Sequence, residues 1–388
     1  NASQLKYYTY FSKQIFNLLT PIIMKRKLFI WSLTVCFLLS ATTHSSSQTT
    51  DKIPDFPVKK GISAPLAGFI GDWLIVGGGC NFPTIPAAEG GSKAYYAQCY
   101  ALDTQASTPQ WISLPDLPQP MAYNCTVETS HGLVCIGGLN SDSCLTQVFR
   151  IERNCSTGNF TYHTLPSLPE TIDNASATIL NECIFVTGGN QQHGKNSLYK
   201  LDLKNKGTWQ KLASFPGPHR IQPILVHDNR FLYLIGGFQS PAPQKESILS
   251  EDILQYDPKT NRWQHETLLP HETTGEKRCM AGGSGTQLSN TLILTGGVNY
   301  NLFKKAIEGK AGSDYLTHEP EWYKFNDDLL FFDTQKKKWT IHPNVPGMAR
   351  AGGILLYHQK SLYMVCGEIK PGIRTPKITV YPLSLIHI

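Results

Sequence analysis

Apolar and polar positions alternate along this chain in an order that recurs. An apolar, β-rich run of about five residues ending in glycine occurs six times: DWLIVGGG (72–79), LVCIGG (133–138), CIFVTGG (183–189), FLYLIGG (231–237), TLILTGG (291–297) and LYMVCG (362–367). Such runs predict buried strands, and the glycines predict a sharp exit where side chains would collide. After most runs an aromatic leads to Asp, with Trp six to eight residues further on, as in Tyr100/Asp103/Trp111, Tyr199/Asp202/Trp209, Tyr256/Asp257/Trp263 and Phe332/Asp333/Trp339. YDPKTNRW (256–263) has the Asp, Pro and Asn of a tight turn between two strands. A Leu-, Phe- or Val-Pro segment closes each unit: LPDLP (114–118), LPSLP (165–169), FPGP (215–218), LLP (268–270) and NVP (344–346).

Only five closing segments follow their units. The sixth lies at the other end, as IPDFP (53–57), while the last unit stops at ITVYP (378–382). The order predicts an all-β, six-bladed β-propeller of four-stranded blades, with the N-terminal strand, residues 53–57, pairing beside 378–382 to close the last blade. Separate sandwiches would not repeat the same order of elements. The propeller is expected to span 51–382. LSLIHI (383–388) takes no part in the pattern and is expected to be a non-native tail.

Charge changes the picture only at the N-terminus. The formal net charge is +6, but residues 1–50 hold five Lys/Arg and no Asp or Glu, leaving 30 basic against 29 acidic side chains. A near-neutral body argues against nucleic acid as a partner, which needs a basic stripe. Met24 opens a positive stretch, Lys25–Lys27, and a 13-residue apolar stretch, 28–40. That is a signal peptide over 24–41, too short to span a bilayer, and it predicts a periplasmic or secreted product with no stable membrane insertion. Residues 1–23 are expected to be translated upstream sequence. Of ten cysteines, nine follow this segment. Their spacing shows no CxxC, and several sit in strands where a free thiol packs as a small hydrophobe; one or two disulfides stay open in an oxidising compartment.

In a propeller, the loops after the glycines and the loops leading into each first strand gather at one face of the channel. They hold Asn81, Asn140, Asn190, Asn299 and Glu368, and Arg220, Arg278 and Arg350, with Arg374 six residues beyond Glu368. Amides, a carboxylate and guanidinium forks suit a polyhydroxylated ligand bearing a carboxylate. Asn81, Asn299, Arg220, Arg278 and Arg350 are therefore candidate substrate ligands, although turn chemistry and strand bracing account for the same residues equally well. Glu368 is expected to take the place of a second glycine, which puts a carboxylate where other blades keep the backbone bare. The histidines form no HxH or HExxH, so neither metal nor cofactor is expected. Two long loops, 80–96 and 298–326, can cover a site or seal the ring.

The recurring Gly, Tyr/Asp and Trp resemble the kelch repeat. GEIKPGIRTP (367–376), GGVNYNLF (296–303), FPGPHR (215–220) and YDPKTNRW resemble segments of the bacterial N-acetylneuraminate epimerases, the sialic-acid mutarotases, with the blades in a cyclically permuted order. That resemblance implies an isomerase acting on a small acidic sugar, with Glu368 as proton acceptor and Arg374 assisting. The rival is a kelch module that binds glycan or protein without catalysis. A sialidase needs Asp-boxes, for which KNKGTW (204–209) is a poor match. A copper oxidase needs a Tyr/His cluster that cannot be assembled here.

Overall fold

The computed structural model describes residues 53–385, apart from 195, 206, 244 and 245. The expected upstream segment and signal peptide, within residues 1–52, and residues 386–388 lie outside the described residues. Five four-stranded antiparallel sheets and one three-stranded sheet follow one another along the chain. Blade I comprises β1 (Leu66–Ile70), β2 (Trp73–Gly77), β5 (Cys99–Asp103) and β6 (Trp111–Ser113). Blade II has β7 (Cys125–Thr129) to β10 (Phe160–Thr164), and blade III β11 (Ile172–Leu180) to β14 (Gln210–Leu212). Blade IV has β15 (Ile224–His227), β16 (Leu232–Ile235), β19 (Asp252–Asp257) and β20 (Arg262–Leu268). Blade V runs from β21 (Gly283–Leu288) and β22 (Thr291–Gly296) to β23 (Leu329–Asp333) and β24 (Lys338–His342). Blade VI has β25 (Ile354–His358), β26 (Ser361–Val365) and β29 (Ile378–Pro382). Short pairs β3 (Cys80–Asn81) and β4 (Ala94–Tyr95), β17 (Phe238–Gln239) and β18 (Ile248–Leu249), and β27 (Glu368–Lys370) and β28 (Ile373–Arg374) stand on the loops after the second strands of blades I, IV and VI.

The second strands are the apolar runs of the sequence, and their inner residues are buried without exception: Leu74–Val76, Val134–Ile136 and Leu292–Leu294 are typical. They need partners on both faces, and the neighbouring blades supply them. Apolar clusters accordingly lie between blades, as where Leu66, Ile75 and Ala101 of blade I meet Leu133, Phe149 and Ile151 of blade II.

The first strands of the six blades contact one another in a closed ring, β1, β7, β11, β15, β21, β25 and back to β1. Around its mouth the backbone forms a hydrogen-bond relay from blade to blade. Tyr123 N–H donates to Ala64 O (3.1 Å), Asn174 to Tyr123 O (3.0 Å), Gln222 to Asn174 O (2.8 Å), Gly352 to Gly282 O (2.7 Å) and Ala64 to Gly352 O (2.7 Å). All six residues have left-handed φ, between 50° and 69°. The second glycine of a pair joins consecutive blades just outside this ring. Gly79 donates to Met121 O, Gly138 to Ile172 O, Gly189 to Arg220 O, Gly297 to Arg350 O and Gly367 to Ile62 O.

That last bond corrects the alignment of blade VI. Gly367 is the second member of its pair, and Cys366, with φ of 52°, holds the first position in the left-handed region despite its Cβ. Glu368 therefore replaces no glycine. It follows the pair and bridges Ala351, as Cys80 bridges Ser63 and Phe238 bridges Ile221.

The N-terminal segment closes the ring, by a route different from strand pairing. Pro54 and Pro57 have no N–H to give a ladder, and 53–57 is not a strand. Instead Phe56 N–H donates to Pro376 O (2.8 Å), as Leu117 donates to Ala97 O and Leu168 to Thr146 O. Trp111 Nε1 of blade I donates to Pro54 O (3.2 Å), just as Trp209 of blade III donates to Pro166 O (2.8 Å). IPDFP thus occupies for blades VI and I the place that LPSLP holds for II and III, immediately past the fourth-strand position. Leu383, the first residue of the expected tail, is buried beside Val345 and Met348 and donates to Lys360 O (2.9 Å). The nine cysteines among the described residues are free thiols. No helix among them is long and apolar enough to cross a membrane.

Candidate active site at the channel mouth

The glutamate and arginine singled out in the sequence meet because of a hairpin. Glu368–Lys370 (β27) and Ile373–Arg374 (β28) are joined across Pro371 and Gly372, with Gly372 at φ 84°. The register places Glu368 opposite Arg374, and Arg374 Nη2 lies 2.5 Å from Glu368 Oε1. Both long loops hold the hairpin tip. A Cβ on Gly372 would stand 2.7 Å from Ala87 Cβ of the 80–96 loop. From the other side, Lys370 Nζ donates to His318 O (2.5 Å) of the 298–326 loop.

The two partners differ in access. The Arg374 side chain is 2% exposed and that of Glu368 21%. The guanidinium lies over the Phe82 ring, 4.7 Å from its centroid, and its Nε and Nη1 are buried without a protein partner. Burial pushes the Glu368 carboxyl above its ordinary range, although the Arg374 and Lys93 cations pull the other way. The result is a carboxylate poised to take a proton, beside donors with unused hydrogens.

Lys93 and Tyr123 complete the group and were not legible as site residues. Lys93 Nζ donates to Tyr123 Oη (2.9 Å), and Cys80 Sγ lies 3.6 Å from the same oxygen. Burial, with the Cys80 and Glu368 charges adding to it, pushes the Tyr123 phenol well above its usual value. Tyr123 also lines the channel cavity, about 320 Å³ in volume, together with Asn174, Gln222 and Gly352 of the relay.

The other predicted ligands do not join this group. Arg220 is committed to blade IV: Nη2 forks onto both Asp252 oxygens (2.8 and 2.9 Å) and Nη1 reaches Gly236 O (3.1 Å). Arg278 instead donates from Nη2 to Asp328 Oδ2 (2.7 Å) of blade V and from Nε to Pro270 O (3.2 Å) of the segment that closes blade IV. Arg350 donates to Cys366 O (3.0 Å), Lys377 O (2.7 Å) and Thr379 Oγ1 (2.9 Å) in blade VI. Arg220 and Arg350 tie the second strand of a blade to its third, and Arg278 ties the entry to the third strand of blade V to the segment that closes blade IV, so these hydrogen bonds are spent inside the ring. Asn81 donates to Gly61 O (2.8 Å) and accepts from Tyr96 Oη (2.7 Å). Asn299 is the N-cap of helix α1 (Tyr300–Ile307), its side chain accepting from Leu302 N. Turn and cap chemistry explains both amides. Asn140 caps its own turn, accepting from Asp142 N and Ser143 N, and Asn190 donates to Asp173 Oδ1 (2.8 Å).

The sequence of the half of the ring that carries the hairpin is that of a known family. The family model described as N-acetylneuraminate epimerase matches residues 165–385, more than half of the chain. The chain belongs to the N-acetylneuraminate epimerase family. It is 31% identical over 225 residues to the N-acetylneuraminate epimerase of Haemophilus influenzae (strain PittEE), an alignment covering 55% of this chain and 57% of that protein. The Salmonella typhi protein of the same name is 30% identical over 228 residues, with the same coverage. The alignments therefore span little more than half the length of these relatives. The solved structure of YjhT superposes with a TM-score of 0.58 at 19% identity, covering 85% of this chain and 99% of that one. At that identity the likeness concerns the fold alone.

Proposed function

We propose that this protein accelerates interconversion of the α and β anomers of free N-acetylneuraminate. The observation that carries the reading is the Glu368–Arg374 pair at the channel mouth, inside the stretch that matches the epimerase family. Anomers exchange through the open-chain keto form, so a catalyst must remove the anomeric hydroxyl proton while the ring C–O bond breaks. Glu368 is the base. Its raised affinity for a proton suits it to that task and lets it hold the proton until the ring closes again. Arg374 receives the sugar carboxylate or the developing negative charge on its unused Nη1 and Nε donors.

Anomer-resolved NMR of freshly dissolved N-acetylneuraminate tests this directly. The wild-type protein shortens the approach to anomeric equilibrium. Glu368→Gln keeps the shape, removes the base and lowers the enzymatic rate by roughly 10²–10⁴. A Glu368→Gln protein with the wild-type rate would remove Glu368 from the mechanism. Wild-type protein that binds the sugar without accelerating exchange would make this a binding module.

A further inference from the structure

Ring opening needs a second proton: one leaves the anomeric hydroxyl, and one must reach the ring oxygen as its bond to the anomeric carbon breaks. Arg374 is a poor source, because a guanidinium holds its protons too tightly to give one up near neutrality. Tyr123 stands elsewhere on the same rim. The backbone relay joins the two: Glu368 bridges Ala351, Gly352 follows in the chain, Ala64 N–H donates to Gly352 O and Tyr123 N–H donates to Ala64 O. Tyr123 is therefore two blades of six from Glu368, across a sector of the mouth rather than beside it.

Hydrogen-bond direction fixes what the phenol can do. An ammonium can only donate, so Tyr123 Oη accepts from Lys93 Nζ at 2.9 Å. The phenol's own hydrogen must then point elsewhere. Cys80 Sγ, 3.6 Å away, is a second donor to the same oxygen, which leaves the phenol hydrogen for a ligand oxygen. Burial keeps the phenol protonated, and the side chain lines the channel cavity.

On the reading of the site as a mutarotase, we propose that Tyr123 is the catalytic acid that protonates the ring oxygen, with Lys93 as its positioning residue. In the forward step Glu368 carboxylate takes the anomeric O–H proton, and that O–H electron pair becomes the second bond of the keto C=O. The C–O ring bond breaks with its electron pair on the ring oxygen, which takes the proton from Tyr123. The enzyme is left with a protonated Glu368 and a Tyr123 phenolate against the Lys93 ammonium. Rotation about the bond next to the carbonyl carbon presents the other face. The hydroxyl then returns its proton to Tyr123 as its oxygen attacks, and Glu368 returns its proton to the carbonyl oxygen. Both residues end as they began.

The test is NMR exchange kinetics on N-acetylneuraminate with Tyr123→Phe, Lys93→Met and the double variant. Tyr123→Phe is expected to lower kcat by roughly 10²–10⁴ with KM little changed. Lys93→Met is expected to lower it by roughly 10–100-fold, the worth of one charged hydrogen bond, and Lys93→Arg to restore most of the loss. The double variant should be no slower than Tyr123→Phe, because Lys93 acts through the phenol. An active wild type with a Tyr123→Phe variant of equal kcat overturns this assignment and leaves the mutarotase reading standing. A further loss from Lys93→Met in the Tyr123→Phe background would place Lys93 on the substrate and overturn its positioning role. A wild type without acceleration overturns both readings together.

Discussion

At the scale of single residues, the site works by setting one proton affinity against another. Burial lifts the Glu368 carboxyl, and Arg374 and Lys93 limit the lift. For an acid with a raised affinity, the basic, useful form is present above that value and is lost as pH falls through it. The acid limb of kcat/KM is therefore expected above the ordinary carboxylate range of about 4.3. Arg374→Met removes the cation that holds the carboxyl down, so the limb should move to higher pH. Arg374→Lys keeps the charge but loses the planar fork and the Phe82 stack, so KM should rise about tenfold while the limb stays in place. Rate profiles across pH for the three proteins check this; a limb that does not move in Arg374→Met would mean that the guanidinium does not tune Glu368. Glu368 and Arg374 were legible because GEIKPGIRTP resembles the epimerase segment and follows the glycine of the last apolar run. Lys93 and Tyr123 were not, because their meeting depends on two blades closing on each other, which no local pattern encodes.

At the scale of elements, the same residue type serves two purposes according to what its strand offers. Arg220 and Arg350 enter their blades beside carbonyls left open where the second strand ends and the third begins, and Arg278 enters beside Pro270 O of the segment closing blade IV. Their position read equally well as a ligand or a brace, and the fold decides for the brace because those carbonyls have nowhere else to turn. Arg220→Met should leave the Asp252 carboxylate without its cation and Gly236 O without a donor, at a cost of about 3 kcal/mol of stability. Thermal unfolding should show that loss while KM for the sugar stays at the wild-type value in the folded protein. A raised KM with an unchanged melting temperature would return Arg220 to the ligand set. The glycine signature was legible in five blades and misleading in the sixth. There Cys366 takes the left-handed position at φ 52°, a conformation that costs a residue with a Cβ and that composition therefore does not predict.

At the scale of the whole molecule, closure is what turns six sheets into one site, since Glu368 is on the last blade and Tyr123 on the second. Repetition of the strand, turn and Pro-rich elements made the six blades legible, and the misplaced IPDFP pointed to where the ring shuts. The family match over residues 165–385 falls on blades III to VI. The junction between blades VI and I rests on Phe56. It is buried at 3% exposure, donates its N–H to Pro376 O, and packs edge-on against Tyr100 and Trp111 at 5.3 and 5.5 Å. Elsewhere the corresponding residue, such as Leu168, is held by chain continuing on both sides into neighbouring blades. At the seam, the two blades are joined only by packing and hydrogen bonds. Phe56→Ala should cost about 3–5 kcal/mol and should loosen the seam before the rest. Hydrogen exchange should then quicken in β29 and β6 while the second strand of blade III, β12 (Cys183–Gln191), and β16 stay protected, and the mutarotation rate should fall because β27 hangs from the same blade. Leu168→Ala makes a comparable cavity away from the seam and should not favour β29. Equal loosening of all blades in Phe56→Ala would show that the ring melts as one unit and that the seam has no independence.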